Sequence, residues 1–242
     1  MKTDFEVVDY DIEKGDYRNV SNYDEKRYAG PANEYKKKVT SNAYHELIGP
    51  LEGKRILDVG CGTGRGVADF VEAAKLTVGA DASQDMLLTA AEKIRGRSGV
   101  GLVRSYAQSL PFPRGYFDVV TSLNFLHLFS LQTQTDMIAE MKRVVRPGGV
   151  VVLEFDNAIH GLGLGLFKRW TGREQGSLPW EIRQVIGSGC RITHIYGAVF
   201  PVVWRWLYRS PDSSMLVEKL AYHTPINWLA HRIFFRLETS KA

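Results

Sequence analysis

Short apolar runs alternate with amphipathic segments along the first two thirds of this 242-residue chain. An apolar run of six or seven residues is typical of a parallel strand, because helices cover both faces of such a strand. Between these runs, apolar residues recur every three or four positions, which indicates helices with one buried face. The predicted strands are 55–60, 76–81, 100–105, 117–123 and 150–155.

The helical segments follow the strands in regular order. One helix through Tyr35 and Leu47 leads up to Gly49-Pro50, and another through Met137 and Val145 ends at Pro147-Gly148-Gly149. Strand and helix alternate five times within about 100 residues, a pattern of βαβ units with right-handed crossovers. The fold class is therefore α/β, with a doubly wound, mostly parallel sheet.

The alternation breaks between Asn157 and Ser177, where the sequence fits neither a strand nor a crossover helix. Beyond it, a helix in PWEIRQVIGSG and strands at 191–200 and 232–238 complete seven strands. We predict three parts: an N-terminal arm and lid helix at 1–48, a ligand-binding core at 49–157, and a substrate-covering insertion with the final strands at 158–242.

The stretch LDVGCGTGRG, residues 57–66, follows the first strand and indicates a backbone that a ligand can approach closely. A dinucleotide-binding turn needs glycine at the position of Arg65, so that template fails, and no Gly-Lys-Ser/Thr of a phosphate loop follows. Asp81 ends the second strand, about 20 residues further on, where a carboxylate can accept hydrogen bonds from both hydroxyls of a ribose. The turn and this acid indicate an adenosine-type ligand.

Four segments in order resemble the motifs of class I S-adenosylmethionine-dependent methyltransferases, in the branch that acts on small, quinone-like molecules. They are LDVGCGTGRG, VGADASQDML, AQSLPFPRGYFDVV and VVRPGGVVVLEF, spanning roughly residues 50–157. The resemblance implies the seven-stranded Rossmann-like methyltransferase sheet, S-adenosyl-L-methionine as cofactor and methyl transfer as the activity.

The resemblance also implies the cofactor-binding residues. Glycines contact the amino-acid part, the acid holds the ribose, an apolar side chain packs on adenine, and a segment after the fourth strand faces the sulfonium. An N-terminal lid is common in the family, although the same tyrosines and arginine could form a solvated arm. The implied residues are Gly60, Cys61, Gly62, Gly64, Asp81, Ala82, Met86, Ala107, Gln108, Asn124 and, in the lid, Tyr23, Arg27 and Tyr28. Tyr106 departs from the family pattern, which often has aspartate there, so ring contact and Gln108 are the alternative means of holding adenine.

The chemistry asks little of the protein beyond alignment, because a sulfonium is already a good leaving group. A base is needed only where the acceptor must lose a proton. His127, just past the fourth strand, is the candidate base; a packed or capping histidine is the alternative.

Single sequence features argue against other classes of methyltransferase. SLNF at 122–125 lacks the prolines typical of nucleobase-amine methyltransferases, which argues against nucleic acid as substrate. Asp156-Asn157 imitates half of a magnesium site, but no acid stands at Ser122 or Leu123, so no metal is predicted. Two alternatives to an enzyme of this family remain. One is a non-catalytic S-adenosylmethionine-binding module; the other is a nicotinamide-dependent oxidoreductase, against which Arg65 argues because it replaces a glycine of the dinucleotide-binding turn.

Composition and charge indicate where the protein is located and what kind of partner it meets. With 44% hydrophobic and 24% charged residues the chain is of ordinary globular composition, and no apolar run reaches the length of a transmembrane segment. The N-terminus lacks the apolar core of a signal peptide and two cysteines form no framework, so a cytoplasmic location is the default expectation. From His160 onward, eleven basic residues face five acidic ones, which indicates either a solvated face or an anionic partner.

The acceptor is predicted from the later part of the chain. All five tryptophans lie in residues 157–231, and GAVFPVVWRWLYRS interleaves Trp204 and Trp206 with Arg205 and Arg209. This pattern fits either a core for the last strands or the wall of a pocket for a large apolar molecule. We therefore predict a lipophilic small-molecule acceptor, with peripheral contact to a membrane as a further expectation.

Overall fold

The computed structural model describes residue 24 and residues 31–160, 176–200 and 228–240. Its centre is a seven-stranded sheet in the order β3-β2-β1-β4-β5-β7-β6. The strands are β1 (Arg55–Val59), β2 (Leu76–Asp81), β3 (Val100–Arg104), β4 (Phe117–Ser122), β5 (Val145–Asp156), β6 (Cys190–Ala198) and β7 (Arg232–Thr239). The doubly wound, mostly parallel sheet predicted from the sequence is thereby confirmed.

Strand direction divides the sheet. Strands β1 to β5 pair in parallel, and strand order reverses between β1 and β4. Strand β7 is antiparallel to both β5 and β6. The carboxyl ends of β1 and β4 therefore meet at a switch point of the sheet, where ligands bind in open α/β folds.

Five α-helices and one short 3₁₀ helix surround the sheet in the described ranges. The helices are α1 (Pro31–Ile48), α2 (Arg65–Phe70), α3 (Gln84–Lys93), α4 (Leu131–Val144) and α5 (Pro179–Ile186), and the 3₁₀ helix is Leu126–Leu128. Serines begin two of them: Ser83 Oγ accepts the Met86 N–H and Ser130 Oγ accepts the Thr133 N–H. Such caps satisfy donors at the helix start that have no partner within the helix.

Most strand boundaries lie within two residues of the sequence prediction, and the start of β5 differs most. Strand β5 begins at Val145, five residues before the predicted start, because Val145 pairs with Phe117 before the register shifts at the glycines. The Pro147-Gly148-Gly149 stretch thus lies within an irregular strand. Helix α2 ends at Phe70, and residues up to Ala74 continue as turns, since Ala73 and Ala74 both donate to the Phe70 carbonyl.

Helix α1 is amphipathic in an informative way. Val39, Ala43 and Leu47 are buried against the sheet, in the same apolar cluster as Val152 and Phe234. Its opposite, polar side faces the carboxyl edge of the sheet. None of the helices in the described part of the chain has the length and apolar content that a bilayer crossing requires.

Candidate functional site

The glycine turn joins β1 to α2, and most of its glycines make room for the protein itself. A Cβ on Gly60 would lie 2.3 Å from the ring of Phe125, and one on Gly64 would lie 2.6 Å from the Ala90 Cβ. Gly62 differs, because no atom lies within 4 Å of its Cβ position. All three have positive φ, which glycine adopts without strain. Gly62 is therefore the one of these three positions at which the backbone is open to a ligand.

Asp81 closes the turn from the end of β2. Its Oδ2 accepts the Gly62 N–H at 2.8 Å and its Oδ1 accepts the Ser83 N–H at 2.9 Å. Burial raises the pKa of this carboxyl, while the backbone donors act in the opposite direction. A carboxylate has about four acceptor sites and three backbone donors, those of Gly62, Ala82 and Ser83, use three of them, so one site remains for a further donor such as a ribose hydroxyl. The ribose role of Asp81 stays a prediction.

A cavity of about 300 Å³ lies over the turn at the carboxyl edge of the sheet. Its walls come from three places: the glycine turn with Met86, the segment after β4, and the polar side of α1. Beyond these, residues from the ends of β5 and β7 close the far side. The lining includes Lys36, Lys37, Thr40, Tyr44, Asp58, Gly60, Cys61, Gly62, Thr63, Met86, Leu123, Asn124, Glu154, Val199, His231 and Arg232.

The predicted cofactor residues divide into those that reach this cavity and those that do not. Gly60, Cys61, Gly62, Met86 and Asn124 line it together. Ala107 packs instead in the main apolar core, and the Ala82 carbonyl accepts a hydrogen bond from Arg104 Nε. The cavity-lining residues of the described ranges do not include Gly64, Asp81, Ala82, Ala107 or Gln108. Tyr23, Arg27 and Tyr28 lie outside the described residues, as do Trp204 and Trp206.

Asn124 is the residue that bends the chain after β4. Its φ is 56°, in the left-handed region that asparagine tolerates better than most residues. Its N–H donates to Glu154 Oε2 at 2.8 Å, which fixes the bend against β5. The bend sends Phe125 onto Gly60 and leads into the 3₁₀ helix that carries His127.

A buried charge network at the ends of β5 and β7 was not found from the sequence. Arg232 Nη1 lies 2.8 Å from Glu154 Oε1 and 2.7 Å from Asp156 Oδ1, and the Glu154 carboxyl is only 5% exposed. Burial raises the pKa of Glu154, and the Arg232 charge opposes that shift. His127 Nδ1 lies 3.9 Å from Asp156 Oδ1 and is not among the cavity-lining residues of the described part, so its role as a base stays a prediction.

A second acid missed by sequence reasoning lies under the turn. Asp58, in β1, accepts the Thr121 hydroxyl at 2.7 Å and lines the cavity floor. Burial raises its pKa to about 7, and the Thr121 hydrogen bond acts against that rise. Gly66 is small for this reason, since a Cβ there would lie 2.6 Å from Asp58 Oδ2. An acid inside a strand, next to a glycine turn, was the available signal.

The N-terminal part also reaches the turn. Asp24 accepts the Thr63 hydroxyl at 3.0 Å and pairs with Lys93. This contact places Asp24 beside the turn, while the lid residues named from the sequence lie outside the described ranges. Tyr44 of α1, which donates to Asp69, adds a second contact beside the cavity.

The Asp156-Asn157 pair is used in the fold. Asp156 pairs with Arg232, and the Asn157 amide donates to the Trp228 and Ala230 carbonyls at 2.7 and 2.8 Å. Asn157 thereby fastens the chain that enters β7. No group of three or more histidine, cysteine or acidic side chains suited to a metal occurs within the described ranges. Metal independence stays a prediction.

With this geometry in place, the comparisons with known proteins decide the family of the central segment. Residues 57–153 match the sequence family described as a methyltransferase domain. Over these residues, about two fifths of its length, the chain is similar to a methyltransferase domain. The match covers the strands and the turn that build the cofactor side of the cavity, and it agrees with the class I resemblance carried by the four motifs.

Curated relatives of the methyltransferase domain are named ubiquinone/menaquinone biosynthesis C-methyltransferase UbiE. The protein of Shewanella piezotolerans is 36% identical over 128 residues, covering 48% of this chain and 49% of the relative. That of Stutzerimonas stutzeri is 39% identical over 124 residues, covering 48% of each. The chain thus spans about half the length of the curated relatives it matches.

Solved structures share the fold of the domain more widely than its sequence. A Thermotoga maritima protein titled as a possible histamine N-methyltransferase has a TM-score of 0.65 at 16% identity, covering 91% of this chain and 97% of that one. An S-adenosylmethionine-dependent methyltransferase from Mesorhizobium loti has a TM-score of 0.59 at 18% identity, covering 81% and 96%. A structure titled as the [4+2]-cyclase SpnF has 0.62 at 22%, covering 84% and 80%. At these identities the likeness shows the fold alone.

Proposed function

We propose that this protein transfers a methyl group from S-adenosyl-L-methionine to a small, lipophilic acceptor. The observation that carries the proposal is one cavity, at the switch point of the sheet, whose wall combines the open backbone of Gly62 with Met86 and Asn124. The methyltransferase-domain match over the same strands supports it. Neither a nicotinamide-dependent oxidoreductase nor a non-catalytic module is supported by the named relatives.

The residues present fit the cofactor. Gly62 offers open backbone for its amino-acid part, and the Asp81 carboxylate retains an acceptor site beside the turn for the ribose. Met86 offers an apolar contact, and Asn124 lies across the cavity where the resemblance implies the sulfonium. When bound, the cofactor supplies the activated methyl group. The protein's contribution is then to align the acceptor with that group and to exclude water.

The lipophilic acceptor is proposed from the names of the relatives, which make quinones, and from the aromatic stretch around Trp204 and Trp206. Polar residues outnumber apolar ones in the described wall, in which Leu123, Val199 and Met86 are the main apolar side chains. Apolar cover for the acceptor would therefore have to come from residues outside the described ranges.

Calorimetry followed by a turnover assay tests the proposal. We expect S-adenosylmethionine and S-adenosylhomocysteine to bind the full chain, and NAD not to bind. With hydroquinones of increasing apolar size as acceptors, S-adenosylhomocysteine should be produced faster as the apolar part grows. Binding without product from any acceptor would favour the non-catalytic module, and preference for NAD would overturn the cofactor assignment.

We also propose a cytoplasmic protein that touches membranes peripherally. The excess of basic residues beyond His160 and the 63% exposure of Trp180 support a surface suited to anionic lipid. Sedimentation with vesicles of mixed phosphatidylcholine and phosphatidylserine should retain the protein at low salt and release it at high salt. Equal retention on pure phosphatidylcholine would contradict an electrostatic contact.

A further inference from the structure

The buried carboxylate of Glu154 stands at the acceptor end of the cavity. Among the cavity-lining residues of the described ranges, only Asp58 and Glu154 are acidic. Asp58 lies beneath the glycine turn, where Thr121 and Gly66 enclose it. Glu154 lies on the other side, in contact with the Asn124 bend that the resemblance places before the sulfonium. Glu154 is therefore the acid next to the position of an acceptor.

Its surroundings hold the carboxylate in one orientation and leave it able to accept more. Oε2 takes the Asn124 N–H at 2.8 Å and Oε1 takes the Arg232 guanidinium at 2.8 Å. Each oxygen has a second acceptor site, and the side chain lines the cavity. A buried, oriented carboxylate with spare acceptor sites has the geometry that proton removal requires.

The neighbouring charges indicate which proton is removed. Arg232 lines the same cavity and is balanced by Glu154 and Asp156. Once Glu154 takes a proton, one negative charge is lost there, and Arg232 can stabilise an anion that forms on the acceptor. A cationic amine would instead be repelled by the sulfonium of the bound cofactor. The site thus favours a neutral, weakly acidic hydroxyl.

We propose that Glu154 is the proton acceptor of this site and removes the proton of a hydroxyl group of the methyl acceptor. The inference rests on the proposed methyl transfer. The O–H bond of the acceptor breaks and its proton passes to a Glu154 oxygen. The electron pair left behind forms the new bond to the methyl carbon, from oxygen or from the ring carbon beside it, while the pair of the methyl–sulfur bond stays on sulfur. In the oxygen case, Glu154 afterwards releases its proton to solvent. In the ring-carbon case, the hydrogen on that carbon leaves as a proton to solvent, and the oxygen takes its proton back from Glu154.

The first test measures binding without turnover. Hydroquinone, catechol and 1,4-dihydroxynaphthalene, each beside its methyl ether, are titrated by calorimetry into protein saturated with S-adenosylhomocysteine. The wild type should bind free hydroxyls more tightly by roughly tenfold or more, the effect of one hydrogen bond to a charged group. Glu154→Ala should lose that preference. Asp156→Ala, which removes the other acid on Arg232, should keep it.

The second test measures turnover and its rescue. Glu154→Ala should transfer methyl groups roughly 10²- to 10⁴-fold more slowly, the usual contribution of a general base. Added formate should restore part of that rate, whereas Glu154→Gln, which leaves no space, should not respond.

Two results would overturn the assignment of Glu154. One is the absence of any hydroxyl preference in the wild type; the other is a Glu154→Ala protein that binds S-adenosylhomocysteine normally and either keeps its rate or ignores formate. Failure of the wild type to bind S-adenosylhomocysteine would defeat the proposed function instead, and would be recognised before either test.

Discussion

The two sides of the cavity are built in different ways. On the cofactor side, the glycine turn, Asp81 and Met86 lie within 27 residues of one another along the chain, from Gly60 to Met86. On the far side, Glu154 contacts Arg232, 78 residues away, and Asn157 holds the Trp228 carbonyl, 71 residues away. A short sequence motif can describe the first arrangement but not the second.

This difference explains what the family match covers. The match ends at residue 153, one residue before Glu154, and it includes neither Arg232 nor any other residue of β7. The cofactor side therefore carries the shared signature, while Glu154 and Arg232 of the far side lie outside the match. Substitutions on the cofactor side should therefore lower cofactor affinity or the stability of the turn. Substitutions on the far side should lower stability and leave cofactor affinity unchanged.

The largest effect is expected at the turn itself. Gly60→Ala places a Cβ 2.3 Å from the Phe125 ring and adds the strain of a positive φ, so the free energy of unfolding should fall by about 3–5 kcal/mol. Gly53→Ala is the matched control, because it has φ +71° with nothing near its Cβ position and should lose only about 1–2 kcal/mol. Urea unfolding of both variants checks this. Equal losses would show that Phe125 does not occupy the space over Gly60.

On the far side, Asn157→Ala should lower the free energy of unfolding by about 2–3 kcal/mol, because two buried carbonyls lose their amide donor. Trp180→Ala, at a residue that is 63% exposed, should change it by less than about 0.5 kcal/mol. Thermal or urea denaturation measures both. An Asn157→Ala protein as stable as the Trp180→Ala protein would show that the chain entering β7 is held by other contacts.

Cofactor affinity should separate the two sides. Asp81→Ala removes the proposed ribose acceptor, worth ~1.5–3 kcal/mol, so affinity for S-adenosylhomocysteine should fall by roughly 10- to 150-fold. Asn157→Ala should leave that affinity unchanged. Calorimetry on the folded variants measures both dissociation constants. An unaltered dissociation constant in Asp81→Ala would show that Asp81 does not bind the ribose.

The pH dependence of stability should come mainly from the cavity floor. Burial raises the pKa of Asp58 to about 7, so the folded protein binds this proton more tightly than the unfolded chain does. The stabilisation is therefore complete in acid, below the ordinary pKa of aspartate, and is lost as the pH rises through about 7. Denaturation from pH 5 to 8 should show falling stability in the wild type and a shallower slope in Asp58→Asn. Part of the pH dependence should remain in Asp58→Asn, because burial also raises the pKa values of Asp81 and Glu154. An unchanged slope in Asp58→Asn would mean that Asp58 does not titrate between pH 5 and 8.

The smallest effect is expected from metal removal. Since Asp156 pairs with Arg232 and the Asn157 amide holds backbone carbonyls, this pair is committed to the fold. Methyl transfer should continue at the same rate in EDTA and should not increase with magnesium. A loss of turnover on chelation, restored by magnesium, would contradict this.

Much of the fold follows from local patterns. Apolar runs defined β1 to β4 to within one residue at each end, because a buried parallel strand must be apolar along its whole length. The glycine turn and Asp81 were equally accessible, since a turn and the acid one strand later form a compact unit. Strand β5 is the exception: the early start at Val145 depends on its pairing with Phe117, and no local pattern reports that pairing.

Tertiary structure alone decided what fills and closes the site. Gly60 is glycine because Phe125 arrives from the segment after β4, and Glu154 is an acid whose partner, Arg232, comes from an antiparallel strand. Val199 adopts φ +63°, which a β-branched residue does not favour, and its carbonyl accepts the His231 N–H at 2.9 Å. Each feature depends on the register of residues far apart in sequence. The sequence by itself determined the strands and the cofactor turn, because their contacts are local; the acceptor side was decided by how the last strands return to the sheet.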